Sequence, residues 1–443
     1  MHTKIEKLKH DFNEAMTHFE KDIKRHDKIM IRSDARQQKE YDHLQEKLIQ
    51  VKHLEEEQKK LMDSFIELIA GAIDAKSLYT GKHCKRVPEI SLMLAKEASK
   101  SELDVFKDFT MEDDDELREL SIAAWLHDCG KVVTPEYVVD KATKLETIYN
   151  RIHEVRTRFE VIHRDLTIEA MQKKLDGQNH QEVDSWLEVK HKELFEDYEF
   201  IAKANVGGEF MPKEDRQKVR DIGSTTWIRY FDDTIGLTYE EQKRLESNVP
   251  NFPATEYLLR DRKQDIIERA NFDYENYKSY GFKTEIPDDL YNLGEIYNLT
   301  VSRGTLTKEE RFKVQEHIMM TIKMLEQLPF PEHLKNVPLY AGAHHETLNG
   351  TGYPRKLTKD QMPVPARIMA IADVFEALTA SDRPYKEPKT LSASIKILSF
   401  MVKDQELDED LFKLFLTSGV YKTYAKSNLL PEQIDEVDIE QYL

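Results

Sequence analysis

The apolar run from Ile122 to Leu126 ends in His127-Asp128-Cys129-Gly130-Lys131. A helix carrying that run is buried, and it brings an adjacent imidazole and carboxylate to one interior point. Both are good ligands for a divalent metal, and a charge there does not persist without a partner. A second stretch, His344-His345-Glu346-Thr347-Leu348-Asn349-Gly350-Thr351-Gly352-Tyr353-Pro354, joins two histidines to a glycine-rich turn. Consecutive residues do not share a helix face, so His344 and His345 are expected to straddle a site. Glycines at 350 and 352 permit positive φ and close backbone approach, while Pro354 stiffens the exit.

Three further positions extend the pattern. Asp373 follows Ile368, Met369, Ile371 and Ala372, so its carboxylate is expected to be buried on an apolar helix, where a cation is the economical partner. His83 and His317 sit in ordinary amphipathic surroundings, and taken singly each reads as a surface histidine. Lys131 lies three residues after Asp128, within reach of the same cavity.

With Ala366-Arg367-Ile368-Met369-Ala370-Ile371-Ala372-Asp373 and Ser381-Asp382-Arg383-Pro384-Tyr385 downstream, five motifs occur in the order that resembles the HD-GYP family, cyclic di-GMP phosphodiesterases within the HD hydrolases. The resemblance runs from about Phe65 to Lys131 and again from about Gly304 to Leu416. It implies an all-α fold built on an HD-type helical bundle. It also implies metal ligation by His83, His127, Asp128, His317, His344, His345 and Asp373, with catalytic roles for Asp128 and Lys131. Lys131, Gly352, Tyr353, Arg383 and Lys386 are the implied substrate contacts; a guanidinium at 383 suits phosphate or guanine. The donor set implies two divalent metal ions, iron or manganese ahead of zinc, and cysteine-rich spacing for a structural zinc cage is absent. Two cations can activate water and neutralise phosphate charge, which removes the need for a protein nucleophile.

Three positions depart from the family pattern. Asn349 replaces the usual aspartate before Gly350. His317-Ile318-Met319-Met320-Thr321 lacks the usual proline and glycine, so its helix is expected to run on unbroken. Tyr79 stands where a third-metal carboxylate would be, leaving Asp74 as a spare ligand. The activity implied is hydrolysis of cyclic di-GMP to pGpG, and onward to GMP. The alternatives are a phosphodiesterase for the mixed cyclic GMP-AMP dinucleotide, a non-catalytic cyclic-dinucleotide receptor, and a generic nucleotide phosphohydrolase.

The motifs place a catalytic domain over 63–147 and 304–443, interrupted by an insertion over 148–303. Within the insertion, Ile148 to Leu175, Glu182 to Ala204 and Ala254 to Ala270 show apolar residues at helical spacing. Long apolar runs are few, so the insertion is expected to lack a large core of its own and to pack on the catalytic bundle. Its charged helices suit a protein partner.

Residues 1–62 contain no glycine or proline and place Ile5, Leu8, Phe12 and Phe19, then Tyr41, Leu44, Leu48, Val51, Leu54 and Leu61, at spacings of mainly three and four. This is a coiled-coil seam, broken where Arg25, His26, Arg32 and Arg36 crowd it, so one rod or two helices fit equally. A homodimer through this segment is the expectation, as is a signal passed into the domain that follows. The formal charge of −18 disfavours DNA and anionic lipid. No run of eighteen apolar residues spans a membrane. Cys84 and Cys129 indicate a reducing compartment, and the location expected is cytoplasmic.

Overall fold

The computed structural model describes residues 1–76, 83–111, 113–245, 252–381 and 388–443. The chain is mostly helical, and it divides into two compact units, 1–67 and 68–443. One helix, α1 (His2–Lys76), runs unbroken through the stretch where the seam is interrupted. The reason is local. Arg25, Arg32 and Arg36 disturb an apolar stripe but are good helix formers, and no glycine or proline stops the backbone before Gly71. Most large apolar side chains of the first unit stay in water, with Leu8 68% and Phe12 66% exposed, while Ile66 near its end is buried. No helix among the described residues is long and apolar enough to cross a membrane.

The second unit opens with α2 (His83–Ser99), α3 (Asp114–Leu126), a 3₁₀ turn (Cys129–Val133) and the short α4 (Glu136–Val139). Asp113 caps α3 by accepting from the Asp115 backbone N–H, and Asp114, Asp115 and Glu116 complement the positive helix end.

The chain then passes through α5 (Ile152–Leu175), α6 (His180–Val206), α7 (Lys213–Gly223), β1 (Thr226–Arg229), α8 (Tyr239–Arg244), β2 (Ala254–Tyr257), β3 (Ile266–Glu268), α9 (Tyr274–Ser279), β4 (Asp289–Asn292) and α10 (Glu295–Leu299). It returns to the bundle with α11 (Lys308–Leu325), α12 (Val337–Gly342), α13 (Val364–Thr379), α14 (Leu391–Lys403), α15 (Glu409–Thr417) and α16 (Val420–Asn428).

In the bundle, α2 packs on α3 and α13, while α11 packs on the 129–133 turn and on α12. Val87, Ile90 and Leu94 of α2 and Ile368, Ile371 and Phe375 of α13 are fully buried. Each such side chain contributes about 1.5–3 kcal/mol. α13 is apolar nearly all round, as befits a helix at the centre.

Two expectations for residues 148–303 are corrected. Ala254–Ala270 is not helical: β2 pairs antiparallel with β1, and β3 pairs antiparallel with β4. The apolar pairs Leu258-Leu259 and Ile266-Ile267 mimic a helical spacing, but partner strands distant in sequence satisfy the backbone instead. The segment also has its own core. Val155, Ile201, Val219, Leu258 and Leu299, all fully buried, belong to one cluster drawn entirely from residues 145–299. It packs on the bundle as well, through Tyr277 and Phe282 against Phe312, Ile318 and Ile322 of α11.

A buried ion pair locks this segment together. Arg158 of α5 donates through both guanidinium NH₂ groups to the Glu295 carboxylate at 2.7 and 2.8 Å, and also to the Leu258 carbonyl at 2.7 Å. The Arg260 backbone N–H donates to the same carboxylate at 2.9 Å. Glu295→Ala leaves that buried guanidinium only the Leu258 carbonyl and the Glu154 carboxylate at 3.8 Å, so a loss of about 3 kcal/mol is expected. Urea unfolding of the two proteins measures it; an unchanged midpoint would remove the pair from the account of stability.

Candidate metal centre

α3 ends at Leu126, with His127 as its C-terminal cap and Asp128 just beyond in a bridge-region conformation (φ −103°, ψ 9°). Gly130 makes the next contact achievable. A Cβ there would lie 1.8 Å from the His317 carbonyl oxygen and 2.5 Å from the Thr321 nitrogen. Its N–H donates to the Thr321 hydroxyl at 2.9 Å, and that hydroxyl donates to the His127 carbonyl at 3.1 Å. Thr321 and His317 are one helical turn apart, so this docking brings His317 against the His-Asp turn. α11 is continuous through His317, as its sequence implies.

Four of the histidines are oriented through Nδ1. In His127, His317 and His344 that nitrogen faces the carbonyl three residues back, of Ala124, Val314 and Ala341, at 2.6, 2.5 and 2.7 Å. In His83 it faces Glu376 Oε2 at 2.5 Å. Engagement of Nδ1 directs each Nε2 inward, the arrangement that metal-binding histidines take. Asp128 Oδ1, His317 Nε2 and His344 Nε2 are buried with no hydrogen-bond partner. Buried acceptors facing one another without a donor are costly, and a cation is the species that satisfies all of them. The residues therefore fit divalent metal ions.

The donors fall into two adjoining groups, Asp128–His317–His344–His345 and His83–His127–Asp373, each with its ligand atoms within 4.8 Å of one another. Asp128 lies between them. Its Oδ1 is 3.3 Å from His317 Nε2, and its Oδ2 is 3.3 Å from both His83 Nε2 and His127 Nε2. Asp373 Oδ1 is 3.2 Å from His83 Nε2. Lys131 Nζ sits 2.5 Å from Asp128 Oδ2.

Burial works against charge on the Asp128 carboxyl, but Lys131, His127 and His317 outweigh it and hold it well below the usual carboxylate range. The same contest, reversed by His83, His344 and His345, depresses Asp373. Burial also opposes the Lys131 ammonium, yet Asp128 and Asp373 raise it.

His344 and His345 do not straddle the centre, contrary to expectation. α12 ends at Gly342, so the pair lies in a turn where both side chains enter the same group, with ring centroids 4.1 Å apart. Asp74 belongs to neither group; its carboxylate engages the side chain and backbone N–H of Cys84. Arg383 and Lys386 lie outside the described residues, as does Tyr79.

The loop after the histidines is held from within. Glu346 is buried and accepts from the backbone N–H groups of Arg355 at 2.6 Å and Leu357 at 2.8 Å. Gly352 passes so close that a Cβ would meet the Thr347 nitrogen at 2.4 Å. Tyr353, thus placed, stacks on His345 with centroids 4.9 Å apart. Asn349 accepts from Thr351 N–H at 2.9 Å and donates its amide to the Asp404 carbonyl at 2.8 Å, a bond that the family's usual carboxylate could not make.

Sequence reasoning missed Glu376 and Arg86. Glu376 is fully buried, orients His83 and meets Arg86 Nε at 2.7 Å. Both follow a candidate ligand by three residues, Glu376 after Asp373 and Arg86 after His83, and that spacing was the available signal.

Residues 245–411 match the HD domain family. Over parts of its length the chain shows distant similarity to HD-GYP phosphodiesterases of cyclic di-GMP and cGAMP. Similar proteins include the 3′3′-cGAMP-specific phosphodiesterase 1 of Vibrio cholerae, 32% identical over 151 residues, 32% of this chain and 34% of that one. The 3′3′-cGAMP-specific phosphodiesterase 3 of the same organism is 37% identical over 111 residues, 25% and 23% of the two chains. A cyclic di-GMP phosphodiesterase of Thermotoga maritima is 34% identical over 141 residues, 30% and 38%. The match thus spans well under half of each of these relatives. The HD domain match contains His317, His344, His345 and Asp373, while His83, His127 and Asp128 lie upstream of residue 245.

The electrostatics give a pH prediction. Burial alone would lower the His83 pKa, but Glu376, Asp128 and Asp373 raise it well above the ordinary histidine value, so without metal it is protonated at pH 7. A cation must displace that proton, whereas His344, pushed down to about 3 by burial and by His127, is already neutral. Manganese binding at pH 7 is therefore expected to release about one proton, and affinity is expected to fall as pH falls. Calorimetric titration in buffers of different ionisation enthalpy reads the release; heats identical in all buffers would contradict it.

Proposed function

We propose that the protein is a metal-dependent phosphodiesterase that opens a cyclic dinucleotide, cyclic di-GMP ahead of 3′3′-cGAMP, to a linear product and onward to mononucleotide. The observation that carries this reading is the pair of adjoining donor groups sharing the Asp128 carboxylate, with the Lys131 ammonium beside them. In this reading Asp128, His317, His344 and His345 hold one metal and His83, His127 and Asp373 the other, with Asp128 serving both. When bound, the metals supply Lewis acidity and a water acidified enough to act as nucleophile near neutral pH. Hydroxide adds to phosphorus, the P–O3′ bond breaks, and the 3′ oxygen leaves with a proton from water, giving a 5′-phosphorylated linear dinucleotide.

The chain's own residues do the rest. Lys131, with its pKa raised, remains an ammonium. It is therefore suited to balance phosphate charge rather than to take a proton. Glu376 and the Ala124, Val314 and Ala341 carbonyls fix the imidazoles, so ligation costs little reorganisation. Tyr353, stacked on His345, presents an aromatic edge to a base, and burial raises its pKa, so its hydroxyl stays a donor.

The cGAMP reading has support of its own, because relatives named for cGAMP and for cyclic di-GMP match this chain at similar identities. Product chromatography over both dinucleotides and their mononucleotides ranks the substrates. A protein that binds them without turnover would be a receptor and would end the enzymatic reading.

His127→Ala and Asp128→Ala are expected to lower bound metal and abolish hydrolysis, since each removes a proposed ligand. Lys131→Ala is expected to keep its metal and lose about 10²–10³ in kcat. Metal analysis beside the rate separates the two cases; full turnover in either ligand variant would sink the assignment.

We also propose that α1 pairs with a second copy, because an isolated helix gains little stability in water and its apolar seam is exposed along the first unit. Removing residues 1–60 is expected to halve the mass seen by light scattering, and a monomer with or without the segment would refute this.

A further inference from the structure

A cleft of about 880 Å³ has Tyr353, but none of the metal donors, in its lining. Its walls come from α7, from residues 284–288, from residues 297–315 and from the loop at 351–356. Six cations line it, Arg216, Arg220, Arg303, Lys308, Arg311 and Lys356, against two carboxylates, Glu285 and Asp288. In a chain of net charge −18, that concentration of positive charge is a local inversion. Among the described residues, none of Arg216, Arg303, Arg311 and Lys356 is paired with a carboxylate. Arg216 Nε is buried without a hydrogen-bond partner.

A second cation stands behind the wall. Lys144 is only 2% exposed, and its ammonium donates to the Leu299 and Val301 carbonyls at 2.8 and 2.9 Å, with no carboxylate in contact. Burial and the neighbouring Arg216 push it down to about 8, so it is still mostly charged at neutral pH. The buried, unpartnered Arg216 Nε and the excess of cations over carboxylates in the lining are a costly arrangement that an anion in the cleft would relieve. Aromatic rings at Tyr297, Phe312 and Tyr353 share the lining. Cations with aromatic faces bind nucleotides, the cations taking phosphate and the rings the base.

We propose that this cleft is a nucleotide-phosphate site, built by Arg216, Arg303 and Arg311 and separate from the metal donors. The nucleotide has two sources: the half of a cyclic dinucleotide remote from the metals, or a second nucleotide acting as effector. Tyr353 is common to the cleft and to the His345 stack, so either one touches the loop beside the metal centre.

The test is calorimetric titration of the full-length, manganese-loaded protein with GMP and with cyclic di-GMP. The comparison is a triple variant, Arg216→Gln, Arg303→Gln and Arg311→Gln. A control of equal charge change carries Lys190→Gln, Lys192→Gln and Lys203→Gln on exposed α6. The cleft variant is expected to lose about tenfold or more in affinity for at least one probe, with metal content unchanged and the control unaffected. Arg303→Glu alone, at an exposed position, repeats the test should the triple variant fold poorly.

A raised KM for cyclic di-GMP at unchanged kcat assigns the cleft to the substrate. Loss of a second bound equivalent with altered kcat assigns it to an effector. Affinities within twofold of the parent for both probes, or an equal loss in the control, overturn the proposal. Absence of any turnover by the parent would instead strike the phosphodiesterase reading and leave the binding result standing.

Discussion

The backbone of Gly130 lies so close to α11 that no side chain fits between them, and the centre depends on this contact. The Thr321 hydroxyl of α11 accepts from the Gly130 N–H and donates to the His127 carbonyl, which fixes the His127-Asp128 turn against the face of α11 that carries His317. Once that distance is set, Asp128 has nowhere to go but between two sets of imidazoles. The packing of α2 against α13 then supplies His83 to the far oxygen of the same carboxylate, with Asp373 against the same imidazole.

Charge is partitioned sharply across the second unit. At the donor centre Asp128 and Glu376 are buried, and Asp373 nearly so, among histidines whose Nε2 atoms face them. This place attracts cations and, until one binds, a proton on His83 and the ammonium of Lys131 take its part. The cleft beyond Tyr353 has the opposite sign. Substrates that are polyanions need both, a cation-loaded centre for the reacting phosphate and fixed cations for the remainder. Residues between Lys131 and Leu306 supply much of that cleft's wall.

Much of the proposed ligand set was legible because those donors are marked by their own surroundings, whereas His83 and His317 taken singly read as surface histidines. His127 and Asp128 end an apolar run, Asp373 sits in another, and His344-His345 precede glycines whose only sensible use is close approach. Glu376 and Arg86 were legible in principle by their i+3 spacing, but an isolated glutamate three residues after an aspartate carries no signal until the first helix is known to be buried. The strands at 254–257 and 266–268 were not legible, since pairs of leucines and isoleucines between charges match a helix as well as a strand.

What the sequence by itself determined is the inventory and the local backbone: which donors exist, that His127-Asp128 and Asp373 follow apolar runs, that α1 has no breaker before Gly71, and that the turn after His345 is tight. Tertiary structure alone decided how the donors divide. Asp128 shares its two oxygens between groups because α11 and α2 approach it from different sides, and His344 and His345 enter one group because α12 stops at Gly342. It also decided that residues 145–299 have a core of their own and that arginines at 216, 303 and 311 face one cleft. Such facts follow from contacts between residues far apart in the chain, and no local periodicity encodes them.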